Sequence, residues 1–204
     1  MADARFWDRV ADRYARRPID DPAAYEATLE RVRAHLRAED RALEIGCGTG
    51  ATALLLAPSV ATYHATDLSP RMIGIAQGKP EAQALPQLSF AVAEGVPDGG
   101  GPWDAVLAFN ALHLLDDLPG ALRAIHAGLR PGGRLISKTP CFSDLALWIG
   151  VLVPVLRVVG LAPPVRFYSA RGLERAIEAA GFRVVETGDY PARRAQRLIV
   201  AERA

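Results

Sequence analysis

The chain has 204 residues, half of them hydrophobic, and its 24 basic side chains nearly balance 23 acidic ones for a formal net charge of +1. That is enough apolar material for one compact domain and excludes wholesale disorder; the charge balance excludes a global pull toward nucleic acid or anionic membrane. Two cysteines, Cys47 and Cys141, with no CxxC and no Cys/His cluster, argue against a bound metal and suit a reducing, cytoplasmic setting.

Residues 1–38 read as a helical cap, since "ADRYARR" (11–17) and "DPAAYEATLERVRAHL" (21–36) have helical periodicity. The opening "MADARFWDRV" lacks the basic-then-apolar pattern of a secretory signal, and the arginine-rich stretches 11–18 and 191–197 read as solvated surface. From Arg41 onward, short apolar strands alternate with helical patterns, as in a parallel sheet covered by helices. "RALEI" (41–45) is the first strand, and "TGATALLLA" (49–57) opens a helix straight after a glycine loop. "ATYHAT" (61–66) is the second strand; after Asp67 comes a helix with Ser69 as cap and Pro70 in its first position. "LSFAVA" (88–93) and "WDAVLAF" (103–109) are the third and fourth strands. A helix over 118–129 is closed by "RPGG" (130–133), and "RLISKT" (134–139) is the fifth strand.

The alternation then stops for the apolar stretch "LALWIGVLVPVLRVVGLAPPV" (145–165), which Pro154 and Arg157 interrupt. Its uncharged run falls short of the roughly 18 residues that mark a membrane span, so it reads as a lid over 143–168. "SARGLERAIEAAG" (169–181) is a helix between a Ser169 cap and a Gly181 stop, and "FRVVET" (182–187) and "RLIVAER" (197–203) close the sheet as an antiparallel pair. The expected architecture is a single α/β domain over 1–204: a mostly parallel seven-stranded sheet with an antiparallel last strand, a helical cap and an apolar lid.

The chemistry centres on "ALEIGCGTG" (42–50). A strand that ends in Gly46, Gly48 and Gly50 and feeds a helix forms a crevice at the carboxyl edge of the sheet. Absent Cβ atoms there let main-chain N–H groups meet a ligand. No lysine follows Gly50, which disfavours a triphosphate loop, and the third glycine falls one place early for GxGxxG, which weakens a dinucleotide reading without removing it. Asp67 lies roughly 20 residues beyond the loop at the next strand's tip, where an acid accepts both hydroxyls of a ribose. Its competing role is a helix cap.

"LEIGCGTG", "TDLSPRMI", "WDAVLAFNALHLL" and "LRPGGRLI" stand in an order and spacing that resembles the class I S-adenosylmethionine-dependent methyltransferases, in particular the small-molecule, UbiE-like or type 11 branch. The resemblance implies their Rossmann-like fold over 41–139. It also implies that Glu44, Gly46, Cys47, Gly48 and Gly50 cradle the methionine part of S-adenosyl-L-methionine. It assigns Asp67 to the ribose, Leu68 and Met72 to the adenine faces, and Glu94 and Gly95, in place of the usual Asp-Ala pair, to the adenine edge. Phe109 and Asn110 would pass beneath the sulfonium. For Met72 the competing reading is helix core, for Glu94 a surface acid, and for Asn110 a plain strand-end turn.

Methyl transfer from a sulfonium is an in-line displacement that needs positioning and dryness more than side-chain chemistry. His113 is the candidate base, against its reading as a satisfied histidine beside the sheet. Trp7, Tyr14 and Tyr25 bring aromatics to the N-terminal cap, where related enzymes close over the cofactor; Tyr14 is assigned to cofactor, Tyr25 and His113 to substrate. Trp148, in the apolar lid, with Arg166 and Tyr168 at its end, completes the expected acceptor site. The lid itself has three readings: a wall for a hydrophobic acceptor, ordinary packing, or a dimer or peripheral membrane contact. The expected activity is methyl transfer to a small, partly hydrophobic molecule with release of S-adenosyl-L-homocysteine, by a monomer or homodimer without a nucleic-acid partner. A nicotinamide-dependent oxidoreductase and a non-catalytic S-adenosylmethionine-binding protein are the alternatives.

Overall fold

A computed structural model of the chain describes residues 4–97, 99–144, 165–190 and 196–204. Strands β1 (Arg41–Ile45), β2 (Thr62–Asp67), β3 (Leu88–Val92), β4 (Trp103–Phe109), β5 (Leu129–Pro140), β6 (Phe182–Asp189) and β7 (Gln196–Arg203) form one sheet in the order β3-β2-β1-β4-β5-β7-β6. The first five pair in parallel, and β7 runs antiparallel to both its neighbours. The expected closing pair is therefore present, with β7 inserted between β5 and β6. Strand order reverses beside β1, so the chain leaves β1 and β4 on opposite sides of a crevice, the place where open α/β sheets bind ligands.

The central strands are apolar almost without alternation because both of their faces are covered. On one face Leu43, Val106 and Leu135 pack with Leu118, Leu122 and Ile125 of α6 (Leu118–Gly128) and with Leu173 and Ile177 of α7 (Ala170–Ala179). On the other, Ala42, Tyr63 and Leu107 meet Leu29 and Val32 of α2 (Pro22–Arg33), Ala53 and Leu56 of α3 (Ala51–Leu56), and Ile73 of α4 (Pro70–Gln77). Burial of the three apolar side chains of α6 is worth roughly 5–8 kcal/mol, so Leu122→Ala alone removes about 2–5 kcal/mol. Ser69 and Ser169 cap their helices as expected, each Oγ accepting from a backbone N–H, of Met72 and Gly172 respectively, at 3.1 Å.

Two expectations shift. The first helix, α1, spans Ala4–Ala15 rather than 11–17, because Phe6 and Ala11 are its buried side chains and Pro18 follows closely. The "RPGG" segment does not close α6; it lies inside β5. Trp103 pairs with Leu129 and Ala105 with Arg134, so the extra residues bulge out, with Gly132 at φ +73°. A further short helix, α5 (Pro80–Gln83), and single 3₁₀ turns at Ala57–Ser59, Leu112–Leu114 and Phe142–Asp144 complete the described elements. The apolar lid, including Trp148, falls almost wholly outside the described residues, among which no helix is long and apolar enough to cross a membrane.

Candidate active site at the carboxyl edge of the sheet

The loop after β1 turns through three left-handed glycines: Gly46 at φ +69°, Gly48 at +55° and Gly50 at +75°. Their surroundings differ. A Cβ on Gly46 would stand 2.8 Å from the Cβ of Ala111, which seals the loop against the turn after β4. A Cβ on Gly50 would stand 2.8 Å from the Phe90 ring and 3.0 Å from Ala76, so that glycine is filled from behind by β3 and α4. At Gly48 the nearest atom would be Tyr14, at 3.7 Å across the mouth of a cleft.

Asp67 at the tip of β2 ties this loop down. Its Oδ2 accepts from the Gly48 N–H at 2.8 Å and its Oδ1 from the Ser69 N–H at 2.9 Å. Burial pushes its carboxyl up, against the pull of these N–H groups. Each oxygen has a second lone pair, so the acid retains acceptor capacity toward the cleft. Glu44 is 1% exposed, and its Oε2 accepts from the Tyr63 hydroxyl at 2.9 Å. Burial raises its carboxyl to about 7; the Tyr63 bond opposes the rise and the Asp67 charge adds to it. The Cys47 thiol is raised by burial and then by the charges of Glu44 and Asp67, which makes it an inert small side chain rather than a nucleophile.

At the end of β4, Asn110 turns left-handed at φ +53°, a conformation asparagine tolerates, and its N–H donates to the Lys138 carbonyl at 2.7 Å. The cap closes from above. On α1, Asp8 Oδ1 accepts from the Ser69 hydroxyl at 2.5 Å and the Arg71 N–H at 3.1 Å, and Asp12 pairs with Arg71 at 2.8 Å. Those bonds set α1 on the start of α4 and hold Trp7 and Tyr14 edge to face over the cleft, ring centroids 6.4 Å apart.

Twelve of the expected cofactor residues line this cleft: Tyr14, Glu44, Gly46, Cys47, Gly48, Asp67, Leu68, Met72, Glu94, Gly95, Phe109 and Asn110. Gly50 does not line it; Phe90 and Ala76 occupy the space beside it instead. Trp7, Thr49, Thr52, Leu114 and Leu115 join the wall without having been assigned to cofactor from the sequence.

A second pocket adjoins the first through shared walls at Trp7, Tyr14, Thr52, Asn110 and Leu114, and reaches Tyr25, His113 and Lys138. The Tyr25 hydroxyl lies 3.0 Å from Thr52 Oγ1. His113 belongs to this pocket and not to the cleft itself, because the 3₁₀ turn Leu112–Leu114 swings it aside. It is 7% exposed, meets Phe142 edge-on at 5.6 Å, and leaves Nδ1 without a hydrogen-bond partner among the described residues. Burial lowers its pKa to about 4, so the ring is neutral at physiological pH. Arg166 and Tyr168 stand outside both pockets. The Arg166 guanidinium faces Asp116 at 3.5 Å and the Arg166 backbone N–H donates to the His113 carbonyl at 2.7 Å, while Tyr168 packs on the core. Trp148 lies outside the described residues. Lys138 is the residue sequence reasoning missed; its only signal is a lysine within the otherwise uncharged run "LISKTP".

Comparison with known proteins supplies the rest. A family model for a methyltransferase domain matches residues 13–187. A non-reducing polyketide synthase of Aspergillus terreus is 31% identical over 178 residues, covering 79% of this chain and 6% of that protein. A ubiquinone biosynthesis O-methyltransferase of Methylocella silvestris is 32% identical over 175 residues, covering 83% of this chain and 61% of that protein. The chain thus spans a small fraction of the first and under two thirds of the second. The solved CMeT domain of the citrinin polyketide synthase superposes with a TM-score of 0.70 at 27% identity, over 94% of this chain and 55% of that one. These likenesses overturn the nicotinamide alternative, as the phase of the glycines already suggested. The chain belongs to the S-adenosylmethionine-dependent methyltransferase family.

Proposed function

We propose that this chain transfers a methyl group from S-adenosyl-L-methionine to a small, partly hydrophobic acceptor held in the second pocket, and releases S-adenosyl-L-homocysteine. The observation that carries the reading is the meeting, in one cleft, of the Gly48 backbone and the Asp67 carboxylate, which keeps acceptor capacity after taking two N–H bonds. The residues present fit the cofactor: an acid for the ribose hydroxyls, Leu68 and Met72 as apolar walls for the adenine, and Glu94 at its edge. Glu44, buried beneath the loop, takes the ammonium or an intervening water, and Phe109 and Asn110 form the floor.

When bound, the cofactor supplies a methyl carbon on positive sulfur; a lone pair of the acceptor forms the new bond to carbon while the carbon–sulfur pair stays on sulfur. The chain's own task is alignment and exclusion of water. Trp7 and Tyr14 roof the junction between the two pockets, and Asn110 and Leu114 are walls common to both. His113, neutral and with Nδ1 unpartnered among the described residues, takes the proton of an acceptor that still holds one. The aromatic lining of the second pocket, and relatives named for polyketide and ubiquinone synthesis, favour an acceptor with an apolar body.

Isothermal titration with S-adenosyl-L-homocysteine tests the proposal. Wild-type protein should bind it, and Asp67→Ala should weaken binding by about tenfold or more, the loss of a charge-assisted pair. Absence of binding by wild type, or undiminished binding by Asp67→Ala, would overturn it.

A further inference from the structure

We infer that Lys138 makes the second pocket selective for acceptors that carry an acidic group, a carboxylate or equivalent oxyanion, beside their apolar body. The inference rests on the reading of that pocket as the acceptor site.

Lys138 lies near the carboxyl end of β5, opposite Phe109 of β4 in parallel register, and its carbonyl holds the Asn110 turn. Side chains alternate across a strand, and its neighbour two places back, Ile136, packs on the face that α2 covers. The lysine therefore rises between the sheet and α2. It is 8% exposed, and its Nζ donates to Thr28 Oγ1 at 3.0 Å. The Thr28 hydroxyl spends its own proton on the Ala24 carbonyl at 2.8 Å, so it is fixed as an acceptor. An ammonium has three donors, and the described residues engage one of them.

The nearby acids have other work. Asp21 Oδ1 caps α2 by accepting from the Ala24 N–H at 3.0 Å, and Asp20 pairs with Arg17 at 3.0 Å. The Asp21 charge favours the ammonium through space, yet the only hydrogen-bond partner on the described residues is a neutral hydroxyl. Taking an ammonium out of water is costly, and a hydroxyl repays that cost poorly where a carboxylate repays it well. Burial accordingly pushes this lysine below its ordinary range, and an anion laid against Nζ would restore it. The same pocket presents Trp7, Tyr14, Tyr25 and Leu114, an apolar lining for the remainder of the molecule. Anchored at Lys138, that remainder lies toward Asn110 and Leu114, the walls shared with the cofactor cleft. Lys79 and Arg17 also border the pocket. Arg17 is paired with Asp20, and burial lowers the Lys79 ammonium while the Glu81 charge favours it.

The probe is 2-naphthoate, compared with the neutral 2-naphthylmethanol of nearly the same shape, titrated calorimetrically with and without saturating S-adenosyl-L-homocysteine. Wild type should bind the carboxylate at least about tenfold more tightly than the alcohol, the worth of one charge-assisted contact. Lys138→Met should abolish the preference, Lys138→Arg should keep part of it, and Thr28→Val, which removes the internal partner but not the charge, should keep it. Circular dichroism checks that each variant is folded, and the arginine variant serves if the methionine one is not. No preference in wild type, including no binding of either probe, or a preference that survives in Lys138→Met, would overturn the inference. Binding of S-adenosyl-L-homocysteine without naphthoate preference removes this inference alone. Naphthoate preference without S-adenosyl-L-homocysteine binding removes the cofactor reading and leaves the lysine's selectivity standing.

Discussion

Glu44→Gln should make the protein more resistant to unfolding at neutral pH than the wild type, because it removes a buried carboxyl that the folded chain ionises less readily than the unfolded one. The folded chain raises this carboxyl from its ordinary 4.5 to about 7. Between those values the folded state still holds the proton and the unfolded state has released it. Stability therefore falls as pH rises through the window, and the loss is complete above about 7. A separation of about 2.5 pH units, at roughly 1.36 kcal/mol each, makes the loss about 3 kcal/mol. His113 works in the opposite sense. Its pKa falls from 6.5 to about 4, so the unfolded state holds the proton between those values, and stability rises with pH by a similar amount of about 3 kcal/mol. The two slopes largely cancel in wild type where the windows overlap. The informative quantity is thus the variant minus the wild type, from urea unfolding followed at a series of pH values and extrapolated to water. Glutamine still offers Tyr63 an acceptor, so the difference should climb by about 3 kcal/mol between about pH 4.5 and about 7 and then level off. His113→Asn should produce a difference that falls with rising pH over its own window. A flat difference for Glu44→Gln, or one that falls, would refute the assignment of a protonated Glu44 to the folded chain.

Gly50→Ala should act on folding rather than on the ligand. A left-handed alanine costs about 1–2 kcal/mol and the approach to Phe90 and Ala76 about 1–3 more. At roughly 2–4 °C per kcal/mol for a chain of this size, calorimetry should show a Tm lower by about 4–20 °C, with S-adenosyl-L-homocysteine affinity nearly unchanged below it. An unchanged Tm with lost affinity would return Gly50 to the ligand side of the loop. Ser69→Ala removes the cap of α4 and the hydroxyl bound to Asp8, a loss of about 1–2 kcal/mol. Hydrogen exchange should then quicken in α1 and leave α7 unaffected; equal protection in both would mean that Asp8 does not hold the cap.

Much of the fold was legible because its central strands are short apolar runs between glycines and prolines, covered on both faces. β1 and β4 start and stop where the sequence suggests. The "RPGG" segment misled because proline and glycine usually punctuate a chain, whereas here they fill a bulge within one strand. The first helix was misplaced because its arginine-rich half looks more helical than the part that buries Phe6. At the site, spacing alone treats the three loop glycines alike. Only the arrival of Phe90 from β3 separates the one that packs from the one that faces the cleft. Lys138 was hidden for a related reason: alternation shows that a strand has two faces, but not that α2 will cover one and leave an ammonium at a pocket's edge.

One chain of hydrogen bonds links the acid, the loop and the roof. Gly48 donates to Asp67, Asp67 accepts from Ser69, and the Ser69 hydroxyl donates to Asp8 on α1, each step between 2.5 and 2.9 Å. The helix that carries Trp7 and Tyr14 is therefore registered to the same turn that carries the carboxylate assigned to the ribose. A reaction whose rate depends on alignment gains from such a linkage, because displacement of the roof must break the bonds of Asp8 to the turn that carries the acid. The buried side chains beneath it, Glu44 with Tyr63 and Gly46 against Ala111, hold the loop from the opposite direction. Positioning from both sides, rather than a strong acid or base, is what this site has to offer, and it matches what an already activated methyl group requires.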